Sequence, residues 1–178
     1  MHESGKTLNN TRRIVLTGLF TACAFAVNIA ESAFPMPLPG VKLGLANAVA
    51  LCALVLLGAK EAFIVTLLRV FLSWLASGNV FSLACSLGGA VPAVAVMSLL
   101  YGKLSDDLSM PWISVAGAWA FNAGQIAVVS YIVKDLRIAF YILPLLVAGT
   151  AAGWATGLLA QSVCKKLGGK INEDIDRQ

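Results

Sequence analysis

Five long stretches of the chain contain no charged residue, and their lengths constrain the fold more than any other feature. They cover residues 14–30, 43–59, 70–102, 108–133 and 138–164. A helix needs about 20 apolar residues to cross a hydrocarbon core of about 30 Å. Charged residues make up only 12% of the chain, whereas a soluble domain has about 25%. The pattern predicts an all-α, multi-pass protein of the cell membrane.

The uncharged stretches divide best into six spans. Residues 70–102 would extend about 50 Å as one helix, so we divide them at Ser77-Gly78-Asn79, where a turn is favoured. We predict one transmembrane domain at 14–164, between tails at 1–13 and 165–178. Its spans lie approximately at 14–34, 43–58, 61–77, 80–101, 112–133 and 138–164.

Lysine and arginine residues predict the orientation of this six-helix bundle. With six spans, both ends lie on one side, together with the loops near 59–60 and 102–111. Nine Lys and Arg residues fall on that side, whereas Lys42, Lys134 and Arg137 fall on the other. Because cytoplasmic loops carry the excess of basic residues, we predict that both termini are cytoplasmic.

The first span has two distinct faces. Small residues recur every four positions and form a narrow stripe, at Gly18, Ala22, Ala26 and Ala30, which lets another helix approach closely in lipid. Asn28 and Glu31 lie roughly opposite, and a carboxylate inside a span is costly and is usually functional. The stripe packs either against a partner protein or within this chain. Glu31 either faces a polar interior or reaches the outer interface.

The segment that joins the first two spans and continues into the second, residues 35–47, combines three alternating prolines with Gly40 and Gly44. Alternating prolines disfavour a helix and favour extended backbone. Lys42 and Asn47 add a cation and an amide at the outer edge of span two. The composition is typical of an outer loop that folds over a pocket. The alternative is a rigid connector whose lysine reaches the interface.

Arg69 lies well inside the third span, near the bilayer centre. A central arginine costs at least about 2.5–3.5 kcal/mol, so it needs a carboxylate, carbonyl groups, water or an anionic ligand. Thr66, Ser73 and Ser77 lie on the same side of the helix. Arg69 either forms a buried ion pair with Glu31 or binds a ligand, and the two roles are compatible.

The last two spans carry amides and glycines at helical spacing. Asn122 and Gln125 share one face of span five, and their amides suit either interhelical hydrogen bonds or ligand recognition. In span six, a second small-residue stripe predicts internal packing, at Gly149, Gly153 and Gly157. The predicted substrate-binding residues are Glu31, Lys42, Asn47, Arg69, Asn122 and Gln125.

Motifs for catalysis and for cofactor binding are missing from the sequence. It contains no Walker A segment, no HExxH and no GxSxG. The four cysteines, at 23, 52, 85 and 164, form no CxxC pair, and the one histidine is His2. We therefore predict no metal site and no cofactor. No surface of interleaved basic and aromatic residues indicates a nucleic-acid partner.

The stretch NIAESAFPMPLPGVKLGLANAVALCALVLLG, together with the six-span plan around it, resembles a known family. That family is labelled heptaprenyl diphosphate synthase component I and is also called the Gx transporter family. Its PxPLPGxKLGLAN segment is much more specific than hydropathy. The family in turn resembles the S components of energy-coupling factor (ECF) vitamin transporters, which are six-helix proteins with both ends cytoplasmic.

The resemblance to S components implies roles for the two faces of span one. In S components, a small-residue stripe on the first helix packs against the transmembrane coupling subunit, and Ala22 and Ala26 match that pattern. Their substrate lies in the outer half of the bundle, under the loop that joins spans one and two. We expect no enzymatic activity from the chain by itself, because Asp106-Asp107 is followed by Leu-Ser-Met and lacks the last acid of a DDxxD motif.

These observations favour a substrate-binding membrane subunit for uptake of a small anionic or zwitterionic molecule or cofactor precursor. The expected partners are the lipid bilayer, the small-molecule substrate, and a coupling subunit with ATPases in trans. One alternative is a non-catalytic accessory subunit of polyprenyl diphosphate or quinone biosynthesis. Another is a membrane anchor in a redox complex.

Overall fold

The computed structural model of the chain describes residues 10–33, 45–104, 108–135, 137, 140 and 142–176, with side chains described as far as residue 167. These residues form six α-helices: α1 (Asn10–Ala33), α2 (Leu45–Leu56), α3 (Ala59–Ser77), α4 (Val80–Leu104), α5 (Met110–Val133) and α6 (Ile142–Asp176). The all-α prediction is confirmed. Lys42 and most of the proline-rich segment lie outside the described residues.

Four of the helices contain segments long and apolar enough to cross a membrane, at Asn10–Glu31, Val80–Leu104, Met110–Val133 and Ile142–Leu167. Length and composition therefore make the chain a membrane protein. The other two helices differ from these four. Helix α2 is apolar but has only 12 residues, and α3 carries Lys60, Glu61 and Arg69 within its 19 residues.

Glycines with positive φ end two of the helices. Gly58 (φ 113°) separates α2 from α3, and Gly78 (φ 65°) follows α3 and donates its N–H to the carbonyl of Trp74 at 2.7 Å. Glycine adopts these angles without steric cost. Asn79 then accepts hydrogen bonds from the N–H groups of Phe81 and Ser82, which caps α4. The chain therefore turns at the Ser77-Gly78-Asn79 position where we divided the longest uncharged stretch.

Helix α2 lies at the centre of the bundle and contacts each of the other five helices. Its Leu51 and Ala53 are fully buried, and Val65 of α3, Met97 of α4 and Ile113 of α5 belong to the same core cluster. The helix therefore needs little apolar length of its own, because protein surrounds it instead of lipid.

Helices α4, α5 and α6 pack side by side in that order. The glycine stripe of α6 lies against α5: side chains added at its glycines would contact Asn122, Val115 and Pro111. Small residues allow this close approach in a membrane. These contacts show the internal packing that the sequence predicts for Gly149, Gly153 and Gly157.

Candidate functional site

A cavity opens among α1, α2, α3, α5 and α6. Its described lining consists of Glu31, Ala46, Asn47, Arg69, Ser114, Ala118, Phe121, Asn122, Gly149, Ala152, Gly153 and Thr156. The cavity has a volume of about 20 Å³, which is enough for a water molecule. Glycine and alanine form much of the wall, and charged or polar groups lie at both ends. A larger ligand can enter only if lining residues move apart.

Arg69 lies near the middle of α3 and lines this cavity, with 5% of its surface exposed. Its Nε has no hydrogen-bond partner among the described residues. The hydroxyl of Thr66, one turn earlier, is also buried and unpaired within the described part of the chain. A buried cation with an unsatisfied donor is energetically unfavourable unless an acceptor or counter-charge reaches it.

Glu31 lies in the last turn of α1 and is also buried. Its Oε1 accepts a hydrogen bond of 2.6 Å from the N–H of Leu45, the first residue of α2. A carboxylate at this position stabilises the N-terminus of the helix, because the exposed N–H groups there carry partial positive charge. Glu31 and Arg69 line the same cavity, and the charge of the carboxylate acts on the guanidinium group. Glu31 thus faces a polar interior.

Asn47, in the first turn of α2, is buried and lines the cavity beside Glu31 and Arg69. Lys42, the other predicted residue of this region, lies outside the described residues. The structure therefore brings together three predicted residues of α1, α2 and α3, and a fourth, Asn122 of α5, lines the same cavity.

The two predicted amides of α5 have different surroundings. Asn122 lines the cavity, and its Nδ2 also donates to the carbonyl of Leu145 in α6 at 2.9 Å. It therefore serves helix packing and remains beside the cavity. Gln125 is buried too, but it is not among the residues that line the cavity, and its Oε1 has no partner among the described residues.

Sequence analysis missed the polar residues at the other end of the cavity. Ser114 of α5 and Thr156 of α6 line it there, and their hydroxyl groups lie 3.0 Å apart in a buried hydrogen bond. Ser114 precedes Asn122 by eight residues, which is about 12 Å along a helix. A signal was present, since Thr156 follows Gly153 by three residues and so lies on the same side of α6 as the glycine stripe.

Residues 20–163 match the family model described as heptaprenyl diphosphate synthase component I. The chain belongs to the heptaprenyl diphosphate synthase component I family. No curated protein and no solved structure matches this chain. In this member of the heptaprenyl diphosphate synthase component I family, all the described residues that line the cavity fall within the matched range.

The small-residue stripe of α1 lies on the outside of this family member. All four residues are exposed: Gly18, Ala22, Ala26 and Ala30. A side chain added at Gly18 would meet no atom within 4 Å. The opposite face of α1 is buried, at Thr17, Thr21, Ala24 and Glu31. The stripe therefore does not pack within the described part of the chain.

Proposed function

We propose that this chain is a substrate-binding integral membrane subunit for uptake of a small anionic or zwitterionic organic molecule. The observation that carries the proposal is Arg69, a buried cation that lines a cavity and whose Nε has no hydrogen-bond partner among the described residues. A lipid-facing arginine would have no such cavity, and a purely structural one would have its donors satisfied by the protein. A carboxylate or phosphate supplies both the missing acceptor and a counter-charge.

The proposal includes six membrane crossings with both termini in the cytoplasm. The excess of basic residues on one side supports this orientation. An ion pair adds support: Arg13 Nη2 lies 2.7 Å from Glu61 Oε1, so the start of α1 and the turn between α2 and α3 lie at the same end of the bundle. The short α2 needs only protein contacts, because the other helices surround it.

The exposed stripe on α1 is the proposed contact with a coupling subunit. Small side chains allow a partner helix to approach closely in lipid, and nothing in the described part of the chain covers Gly18. We propose that energy comes from ATPases bound to that partner and that this chain is not an enzyme by itself. Its substrate would be captured at the end of the cavity where α2 begins.

Native mass spectrometry of the purified protein in mild detergent tests the proposal. We expect the wild type to retain a small anionic or zwitterionic molecule that Arg69→Ala loses. Arg137→Ala is the matched control, because Arg137 is exposed and is not among the residues that line the cavity. Absence of any bound molecule in wild type, with Arg69→Ala only lowering thermal stability, would make Arg69 a structural residue.

The name of the family favours a second candidate, a non-catalytic accessory subunit of polyprenyl diphosphate synthesis. In that role the chain would hold an enzyme or its lipid product at the membrane. The same spectra separate the two candidates. A polyprenyl lipid, or a soluble prenyl synthase present in stoichiometric amount, would favour the accessory role.

A further inference from the structure

Three groups that bind anions meet where α1, α2 and α3 come together. The first is the N-terminus of α2, a helix of 12 residues whose first N–H groups have no partner within the helix. The second is Arg69, which is 5% exposed and whose Nε is unpaired among the described residues. The third is Asn47, whose amide lines the same cavity. Together these groups place positive charge and hydrogen-bond donors in a buried space.

Glu31 occupies this position as part of the protein. Its Oε1 accepts the N–H of Leu45 at 2.6 Å, and its charge acts on Arg69. An anionic ligand would use the same N–H groups and the same guanidinium. Ligand and side chain therefore compete, and the small volume of the cavity means that they cannot share it without movement.

We propose that Glu31 is an internal competitor at the anion site formed by Arg69 and the N-terminus of α2. The ligand's carboxylate or phosphate replaces the Glu31 carboxylate, and the affinity for ligand is lowered by the cost of that exchange. This inference rests on the function proposed above. The inference also defines the substrate class as anions that do not use Glu31 to bind an ammonium group. A ligand whose ammonium group binds Glu31 would need the Glu31 carboxylate to stay in place.

Thermal unfolding in detergent, with increasing acetate, inorganic phosphate or glycine at constant ionic strength, tests the exchange. A ligand that binds only the folded state raises Tm, and at a given ligand concentration the rise is larger when binding is tighter. We expect Glu31→Gln to bind acetate or phosphate about tenfold more tightly than wild type, since a like charge has been removed at short range. The glutamine keeps an oxygen that accepts the Leu45 N–H. Whichever of acetate and phosphate gains more affinity in Glu31→Gln identifies the anionic group of the ligand as a carboxylate or a phosphate.

Two further variants serve as controls. Arg69→Gln should lose the acetate and phosphate response. Glu61→Gln should match wild type, because Glu61 bonds Arg13 and does not line the cavity. If Glu31→Gln does not fold well enough to titrate, Glu31→Ala provides a second readout. We expect acetate to raise its Tm more than that of wild type, by replacing the missing carboxylate.

The possible results separate this inference from the function on which it rests. Arg69-dependent anion binding that Glu31→Gln leaves unchanged or weakens would overturn the competitor role and leave the binding function in place. Tighter binding of glycine to wild type than to Glu31→Gln would assign Glu31 to an ammonium group instead. If none of the proteins responds to any probe, both the binding function and the competitor role are wrong.

Discussion

Asn28 Nδ2 donates a 2.7 Å hydrogen bond to the hydroxyl of Ser73, which itself donates to the backbone carbonyl of Arg69 at 2.8 Å. The first bond joins α1 to α3 one turn beyond Arg69, and the second lies within α3 and holds the Ser73 hydroxyl in place. The polar stripe on α3 is thus divided between two tasks. Ser73 connects helices, while Arg69 and Thr66 are buried, each with a donor that has no partner in the described part of the chain.

Removing the hydroxyl of Ser73 tests its role in joining the helices. We expect Ser73→Ala to lower the free energy of unfolding by about 1 kcal/mol, because the amide of Asn28 loses an acceptor in a partly buried position. Chemical denaturation in detergent measures the change. Ser77→Ala is the control, since Ser77 is exposed and its hydroxyl bonds the nearby backbone of Trp74 and Asn79, each at 3.4 Å. Equal effects of the two variants would contradict the connecting role.

The contact between α5 and α6 depends on glycine at position 153. A methyl group added there would lie 2.8 Å from the Cα of Val115, which is backbone and cannot rotate away. We expect Gly153→Ala to destabilise the protein by about 1–3 kcal/mol. In Gly102→Ala, no atom of the described residues lies within 4 Å of the added carbon, so thermal unfolding should show no loss for this control. A stable Gly153→Ala protein would mean that the two helices separate easily.

Larger side chains on the exposed stripe of α1 test whether the stripe binds a partner or contributes to folding. We expect Ala22→Leu and Ala26→Leu to leave Tm unchanged, because both positions are exposed, and to abolish co-purification of a coupling subunit and its ATPases. Cys23→Leu is the matched control, at an exposed position on the same helix but off the stripe. Loss of Tm in the stripe variants would show that the stripe packs within the protein.

The proposed orientation is tested by labelling intact cells with a membrane-impermeant maleimide. Single cysteines replace Lys134 or Lys103, both exposed, in a protein whose four native cysteines are changed to alanine. We expect Lys134→Cys to react in intact cells and Lys103→Cys to react only after the membrane is opened. The reverse result would invert the topology, and reaction of both in intact cells would contradict the six-span arrangement.

Some features of the site could be predicted because one helix alone determines them. Arg69 stands out because a charge in an apolar helix must be compensated wherever that helix packs. Gly78 stands out because a 33-residue helix would exceed the bilayer. The two faces of α1 follow from helical periodicity, which separates the small residues from Glu31 whatever the neighbouring helices are.

Other features depend on which helices are neighbours, and periodicity does not encode that. The hydrogen bond from Leu45 to Glu31 and the Ser114–Thr156 pair each join two helices. Gln125 shares a helix face with Asn122, but three residues displace it by about 4.5 Å along the axis and by about 60° around it, and only Asn122 lines the cavity.

Helix α2 ends and α3 begins at the turn that contains Gly58, but α2 has 12 residues and α3 has 19. Measured along the helices, the start of α2 therefore falls about 10 Å short of the end of α3. In the proposed orientation, Asn47 is recessed by about a third of a 30 Å hydrocarbon core. If an anion binds there from outside, as we propose, it will have crossed part of the transmembrane voltage. Its loading would then be electrogenic, and an inside-negative potential would oppose it by about 0.8 kcal/mol per 100 mV.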